Sequence, residues 1–211
     1  MEGEKSFLAC QTSVLEAGKW LAHNGFFGTT LGTGGNVSQR LPGTDILAIT
    51  PTSKRYHDLA PEDICIVDFA GKRLAGPFRP SIEIGMHIAA YTQRPDIEAV
   101  IHTHQDYASV FSLLGHPVPV LFEEVAFKIG RQIEIIPFAP AGSAALADHV
   151  SEKLTNGACG YILQNHGALL LAKSMEGALL NVELLEKMCR IYYFALATGQ
   201  PVSLLPWGNT D

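Results

Sequence analysis

The chain has 211 residues, of which 47% are hydrophobic and 17% are charged, and its formal net charge is −6. This length predicts a single domain over residues 1–211, because chains usually split into several domains only beyond ~250–300 residues. The acidic balance excludes nucleic acid as an expected partner, since phosphate backbones are bound by clustered Lys and Arg, and an anionic substrate must therefore be held by a local site.

The spacing of apolar residues and the positions of turn residues predict interleaved helices and strands. In chain order we predict a helix over 5–24, a glycine-rich loop over 28–35, strands over 36–41, 46–50 and 64–69, a helix from just after Ser81 to Gln93, a strand over 100–104, a helix over 107–114, a strand over 133–138, a helix over 143–154, two strands within 161–171 and a helix over 175–198. Several strands follow one another without an intervening helix. We therefore predict an α/β (α+β) fold with one mixed, largely antiparallel central sheet and helices on both faces.

Neither secretion nor membrane insertion is predicted. Residues 1–5 contain no basic region followed by an apolar run, and no uncharged apolar stretch reaches the ~20 residues that span a bilayer. The four cysteines are widely scattered and form no C-x-x-C pair, which favours reduced core thiols over a disulfide framework. These features predict a cytoplasmic protein.

Two histidines lie at the end of an apolar strand, in the segment Ala99-Val100-Ile101-His102-Thr103-His104. Side chains alternate along a strand, so His102 and His104 are expected on one face. There both rings can reach a single ion at ~2.0–2.1 Å. Two solvent-facing histidines would give the same pattern, so the pair alone leaves both interpretations open.

A third histidine favours the metal interpretation. His166 lies in the turn Asn165-His166-Gly167 between two apolar runs, and the glycine lets the backbone approach a site closely. Three histidines that leave one coordination position open are typical of catalytic zinc. The sequence therefore predicts a metal centre at His102, His104 and His166.

Glu83 is the fourth candidate ligand. We expect it in the first turn of the second helix, where the helix dipole stabilises a carboxylate, and that role alone would also account for a glutamate there. His87 lies four residues later on the same helix face, but it is not predicted as a ligand because the other three histidines already supply enough nitrogen. The remaining histidines are expected to be solvated: His23, His57, His116 and His149.

Five short motifs together resemble the class II aldolase/adducin family across nearly the whole chain. In order they are Thr33-Gly34-Gly35-Asn36-Val37-Ser38, Thr50-Pro51-Thr52-Ser53, Pro80-Ser81-Ile82-Glu83, Ala99-Val100-Ile101-His102-Thr103-His104 and Asn165-His166-Gly167. Each is weak alone, whereas all five in this order are highly specific.

The resemblance implies a ligand set and a substrate subsite. It implies that His102, His104 and His166 hold Zn²⁺, or similarly Mn²⁺, Co²⁺ or Fe²⁺, with one ion per subunit, and that Glu83 can ligate the metal and also move protons. The implied phosphate site consists of Gly35, Asn36, Thr52, Ser53 and Ser81. The chemistry agrees, because a glycine loop and a helix N-terminus both present N–H donors to an anion. Homotetramers with sites at the subunit interfaces are also implied.

The implied reaction is retro-aldol cleavage of a small ketose phosphate through a metal-bound enediolate, with the ion as a Lewis acid. Two departures from the sugar-phosphate aldolases bear on the substrate: Ile82 stands where they usually carry a second serine, and no tyrosine occurs near residues 120–124. They keep open a decarboxylase of a hydroxylated aromatic acid or of a keto-acid phosphate. A non-catalytic assembly module, as in adducin, is a further alternative, although a scaffold has no need of a metal site.

Overall fold

The computed structural model describes residues 2–206, and their side chains from Ser6 onwards. Its strands are β1 (Asn36–Arg40), β2 (Ile46–Ile49), β3 (Cys65–Asp68), β4 (Arg73–Ala75), β5 (Ala99–Thr103), β6 (Val118–Pro119), β7 (Gln132–Ile136), β8 (Gly160–Leu163) and β9 (Gly167–Ala172). They form one sheet in the spatial order β4-β3-β2-β1-β5-β9-β8-β7-β6. Neighbours are antiparallel except β7 and β8, which confirms the predicted mixed, largely antiparallel sheet.

Helices cover both faces of this sheet. They are α1 (Glu2–His23), α2 (Ile84–Gln93), α3 (Asp106–Ser112), α4 (Glu123–Lys128), α5 (Ala144–Lys153) and α6 (Met175–Ala197). Helices α1, α3, α4 and α6 pack on one face, whereas α2 and α5 pack on the other. Strands β7 and β8 are parallel and therefore need a crossover connection, which contains helix α5.

The side-chain directions along strand β5 determine on which face of the sheet His102 lies. Ile101 packs into the core under α1 and α6, and its neighbour Val100 packs into the core under α2. Because side chains alternate along a strand, His102 emerges on the same face as Val100. The strand is buried throughout, between β1 and β9. The side chain of His102 therefore lies on the face of the sheet that α2 covers.

The sequence pattern does not predict the short strands β4 and β6 or the short α-helix α4. Strand β4 is a largely exposed edge strand, and β6 has two residues, one of them Pro119. Helix α4 has only six residues. Periodicity needs a longer run to be recognised, since helices are distinguished from strands over windows of about 11–18 residues.

Two boundaries that differ from the prediction lie at the site itself. Helix α2 begins at Ile84, so that Glu83 is its N-cap residue rather than part of its first turn. Strand β5 ends at Thr103, which leaves His104 just beyond the sheet. The helix predicted over 107–114 ends at Ser112, because the chain turns there towards Gly115, which has a left-handed φ of 69°.

The cysteines agree with the expectation of reduced thiols. All four cysteines are free thiols, and Cys10, Cys65 and Cys189 are buried. Within residues 2–206, no helix combines the length and the apolar character needed to cross a bilayer.

Candidate metal centre

The side chains of His102, His104 and His166 converge on one point. One ring nitrogen from each lies within 4.8 Å of the others, and the Nε2 atoms of His102 and His104 are 2.9 Å apart. The ring of His166 lies 4.7 Å from that of His102 and 5.4 Å from that of His104, between centroids. Three nitrogens at these distances can be ligands of a single metal ion.

Local backbone geometry brings His166 to the other two histidines. It lies in the tight turn between β8 and β9, and its amide donates to the carbonyl oxygen of Leu163. Asn165 adopts a left-handed φ of 53°, a conformation that Asn tolerates better than most residues. A Cβ atom at Gly167 would collide with the carbonyl oxygen of Thr103 and approach the His102 ring. Only glycine therefore lets this turn lie against the end of β5.

Glu83 completes the cluster from the side of α2. Its Oε1 lies 3.3 Å from Nε2 of His166 and its Oε2 lies 3.4 Å from Nε2 of His102. The side chain is buried, yet Oε1 has no hydrogen-bond partner in the part of the chain that the structure describes. An isolated buried carboxylate oxygen is costly unless a cation compensates it. The donor set of three imidazoles and one carboxylate therefore fits a divalent metal ion.

The environment keeps the histidines in the form that binds metal. Nδ1 of His102 donates to the carbonyl oxygen of Ala168 at 2.9 Å, which leaves the lone pair of Nε2 directed at the cluster. Burial lowers the pKa of His102 well below its usual value, and the adjacent His104 and His166 lower it further. Burial and the nearby His166 also lower the pKa of His104. Neutral imidazole is the ligating species, so both rings are ready to bind a cation.

A buried hydrogen-bond network supports Glu83 through its Oε2 atom. Asn36 donates from Nδ2 to Oε2 of Glu83 at 2.8 Å, and its Oδ1 contacts Nε2 of His87. Nδ1 of His87 lies 2.6 Å from the Ser38 hydroxyl, which lies 2.8 Å from that of Tyr91. Both ring nitrogens of His87 are thus occupied, so it is not a metal ligand. Two spacings in the sequence could have indicated this network. Glu83, His87 and Tyr91 are four residues apart and so share one helix face, and Asn36 and Ser38 are two residues apart and so share one strand face.

A cavity of about 220 Å³ opens in front of the cluster. It brings all five residues of the expected phosphate site together with Glu83, His104 and His166, and its remaining lining is Thr33, Gly34, Pro51, Ile82 and Ala141. Ser53 has a left-handed φ of 56°. The amides of Thr52 and Ser81 already donate to the carbonyl oxygens of Arg79 and Thr50. These two residues can therefore offer hydroxyl groups, but not amides, to an anion.

Lys54 and Arg55 lie beside this cavity rather than in it. Together with Ser53 they line an adjacent cavity, and the Lys54 ammonium lies over the Phe78 ring, 4.1 Å from its centroid. Neither cationic side chain therefore lines the cavity in front of the histidine cluster.

Gly35→Ala is expected to destabilise the fold more than Gly43→Ala. Both glycines have a left-handed φ, 67° and 70°, which costs any other residue about 1–2 kcal/mol. A Cβ atom at Gly35 would lie 2.7 Å from the carbonyl oxygen of His102 and would also collide with the Phe27 ring, whereas one at Gly43 meets nothing within 4 Å. The collision should add ~1–3 kcal/mol to the loss of unfolding free energy. Urea denaturation measures both variants, and equal losses would contradict the close contact between this loop and β5.

Comparison with known proteins identifies a family and relatives that this chain resembles. The family model for the class II aldolase and adducin N-terminal domain matches residues 12–193. A 5-deoxy-D-ribulose 1-phosphate aldolase of Bacillus thuringiensis is 34% identical over 179 residues, which cover 85% of this chain and 83% of that protein. An L-fuculose phosphate aldolase of Escherichia coli (strain K12) is 35% identical over 178 residues, covering 84% and 81%.

Solved structures agree with the sequence comparisons. The structure of an L-fuculose 1-phosphate aldolase superimposes with a TM-score of 0.87 at 32% identity, and the alignment covers 94% of this chain and 91% of that one. Family model, relatives and fold all lead to one assignment. The chain belongs to the class II aldolase and adducin family, as one of its lyases.

Proposed function

We propose that the protein is a divalent-metal-dependent carbon–carbon lyase that cleaves a small ketose 1-phosphate in the retro-aldol direction. The observation that carries this proposal is the buried Oε1 of Glu83, which has no hydrogen-bond partner among the described residues and faces three histidines. The relatives support the substrate class, because those named above are aldolases of ketose 1-phosphates or of fuculose phosphate.

The ion that we propose is Zn²⁺, with Mn²⁺, Co²⁺ and Fe²⁺ as the alternatives, one per subunit. His102, His104 and His166 would hold it, with Glu83 as a further ligand that can leave. When bound, it acts as a Lewis acid that stabilises negative charge on substrate oxygens.

Glu83 is the group that moves protons in this proposal. Retro-aldol cleavage requires a base for the hydroxyl proton of the carbon that becomes the aldehyde, and an acid for the carbon that is left behind. Oε2 is held by Asn36, whereas Oε1 is free of hydrogen bonds among the described residues. Oε1 can therefore take the first proton and return one to carbon, in line with general acid–base catalysis by a positioned carboxylate.

The phosphate group of the substrate would lie in the cavity against Gly35, Asn36, Thr52, Ser53 and Ser81. Thr52 and Ser81 contribute hydroxyl groups, and Asn36 has one amide hydrogen left after its bond to Glu83. Ile82 is 62% exposed at the same wall. It supplies no donor, but it also does not repel an anion.

Ser81→Ala is expected to weaken the binding of a phosphorylated ketose analogue. The Ser81 hydroxyl accepts from the amide of Glu83, so its own hydrogen is directed elsewhere and can reach a phosphate oxygen. Loss of one charge-assisted hydrogen bond should reduce affinity by roughly 1.5–3 kcal/mol. Isothermal titration of wild type and variant measures this. Ser151→Ala, on helix α5 away from the cavity, is the control, and unchanged affinity in Ser81→Ala would contradict the assigned phosphate position.

The direct test is a substrate screen over ketose 1-phosphates and phosphate-free hydroxy acids in which aldehyde and CO₂ are measured separately. The proposal predicts aldehyde from a ketose 1-phosphate and no CO₂. Release of CO₂ from a hydroxy acid, without binding of any phosphate compound, would replace the aldolase by a decarboxylase. That alternative gains no support from the relatives named above.

We also propose that the protein is a homotetramer with its sites at subunit interfaces, and that it is located in the cytoplasm. Large exposed apolar side chains support an assembly, among them Phe138 on the chain leading to α5 and Phe194 on α6, because such residues in groups mark interaction surfaces. Light scattering of the purified protein gives the mass, and a monomer at assay concentration would contradict the assembly.

A further inference from the structure

His87 is a fully buried histidine that does not belong to the candidate metal centre. It lies one helical turn after Glu83 on α2, and both of its ring nitrogens contact polar side chains of β1, Asn36 and Ser38. Strand β1 places these two residues on one face, because they are two positions apart. The network therefore joins the two elements that hold Glu83, namely α2 and β1.

The donors and acceptors of this network can be assigned in only one direction. The Glu83 carboxylate accepts, so Asn36 directs its amide nitrogen to Oε2 and its Oδ1 to His87. Oδ1 can only accept, so Nε2 of His87 must carry the proton. Burial, with the adjacent His102, lowers the pKa of His87 to about 3, so the ring is neutral and Nδ1 accepts from Ser38.

The direction of the remaining hydrogen bond, between Ser38 and Tyr91, follows from the Ser38 hydroxyl. This hydroxyl has one hydrogen, which it gives to His87, so it accepts from the hydroxyl of Tyr91, which lies 2.8 Å from it and 3.5 Å from its other acceptor, the carbonyl oxygen of Glu98. Every donor thus points along one line, from Tyr91 through Ser38, His87 and Asn36 to Oε2 of Glu83. Aligned hydrogen bonds of this kind polarise one another in a buried environment.

We propose that His87 is a positioning residue for the proton transfer, which acts by fixing the orientation of the Asn36 carboxamide. With Nε2–H of His87 in place, Asn36 can present only its amide group to Glu83. That contact holds Oε2, which lies 3.4 Å from Nε2 of His102, and leaves Oε1, 3.3 Å from Nε2 of His166, without a hydrogen bond among the described residues. Without the His87 donor, the oxygen of the carboxamide is no longer held, and the group can rotate so that its amide no longer donates to Oε2 of Glu83. The inference rests on the proposed lyase function, since it assigns the two carboxylate oxygens different roles.

A matched pair of substitutions separates positioning from simple packing. In His87→Gln the side-chain amide reaches the place of Nε2 and can still donate to Asn36, but the bond to Ser38 is lost. In His87→Asn the shorter amide reaches the place of Nδ1 and can still accept from Ser38, but the bond to Asn36 is lost. Each variant loses one hydrogen bond, so a purely structural role should affect their stability and activity about equally.

The proposal predicts that His87→Asn lowers kcat by roughly 10- to 100-fold at nearly unchanged KM and metal content, the range usual for residues that orient functional side chains. His87→Gln should retain most of kcat. Thr92→Ala is the control on the same helix, because Thr92 is exposed and bonds only to the Ile88 carbonyl oxygen in the described contacts. Equal kcat in the two His87 variants, at equal thermal stability, would overturn the proposal.

A second measurement does not depend on turnover. Solid-state ¹⁵N spectra of the histidine-labelled full chain loaded with Zn²⁺, compared with those of His87→Gln, identify the signals of His87. The expected species is the neutral ring protonated at Nε2, and a ring protonated at Nδ1 would overturn the hydrogen-bond direction on which the inference stands. A wild type without lyase activity, in contrast, refutes the proposed function while this spectrum still decides the orientation of the network.

Discussion

The double variant His102→Ala/His104→Ala is expected to lose its metal almost completely, from about one divalent ion per subunit in the wild type. Both ring nitrogens face the same point, 2.9 Å apart, and His166 with Glu83 cannot hold an ion of this class as tightly on their own. Elemental analysis after dialysis measures the content. A second readout is thermal unfolding with and without added Zn²⁺, because a ligand present at 1,000 times its Kd stabilises the native state by about 4 kcal/mol.

The matched control is His57→Ala/His116→Ala, which also removes two histidines. Both of these side chains are exposed and lie outside the cluster. This control should keep its metal and its Zn²⁺-dependent thermal shift. Retention of metal in the His102→Ala/His104→Ala protein would refute the site assignment.

Glu83→Gln is expected to keep most of the metal and lose ~10²-fold or more in kcat, the usual size of general acid–base effects. The three histidines remain, so metal content should change little. Asn36 donates to Oε2, so the new amide oxygen should occupy that position. The amide nitrogen then replaces Oε1, where it can neither accept nor return a proton.

The control for this variant is Glu152→Gln, an exposed position on α5. It removes the same charge without touching the cavity, and its kcat and metal content should match the wild type. If the activity of Glu83→Gln fell only in proportion to metal lost, Glu83 would be a ligand and nothing more.

Local patterns account for most of the candidate metal centre. The two-residue step from His102 to His104, the Asn165-His166-Gly167 turn and the helix start at Glu83 each follow from short-range geometry. The class of the sheet also followed from the succession of strands without helices between them. The strand order did not, because the pairing of β5 with β1 and β9 joins segments distant in sequence.

The surroundings of Asn36 could not be predicted from its own segment. Its motif indicates a phosphate contact, and the residue does line the cavity. Its hydrogen bonds to Glu83 and His87, however, span 47 and 51 residues. They exist only because the tertiary fold brings Glu83 and the first turns of α2 to β1, an arrangement that no local period encodes. The short elements β4, β6 and α4 were not predicted because they contain too few residues to show a period.

The most direct test of the central claim uses dihydroxyacetone phosphate, the fragment that cleavage of any ketose 1-phosphate between C3 and C4 leaves behind. The metal-loaded protein in D₂O should exchange one carbon-bound hydrogen of its hydroxymethyl group, because Glu83 returns a proton to that carbon in the lyase reaction. NMR follows the exchange without knowledge of the aldehyde. We predict exchange by the wild type that is lost on chelation and in Glu83→Gln. No exchange by the metal-loaded wild type, or exchange that persists in Glu83→Gln, would contradict the account.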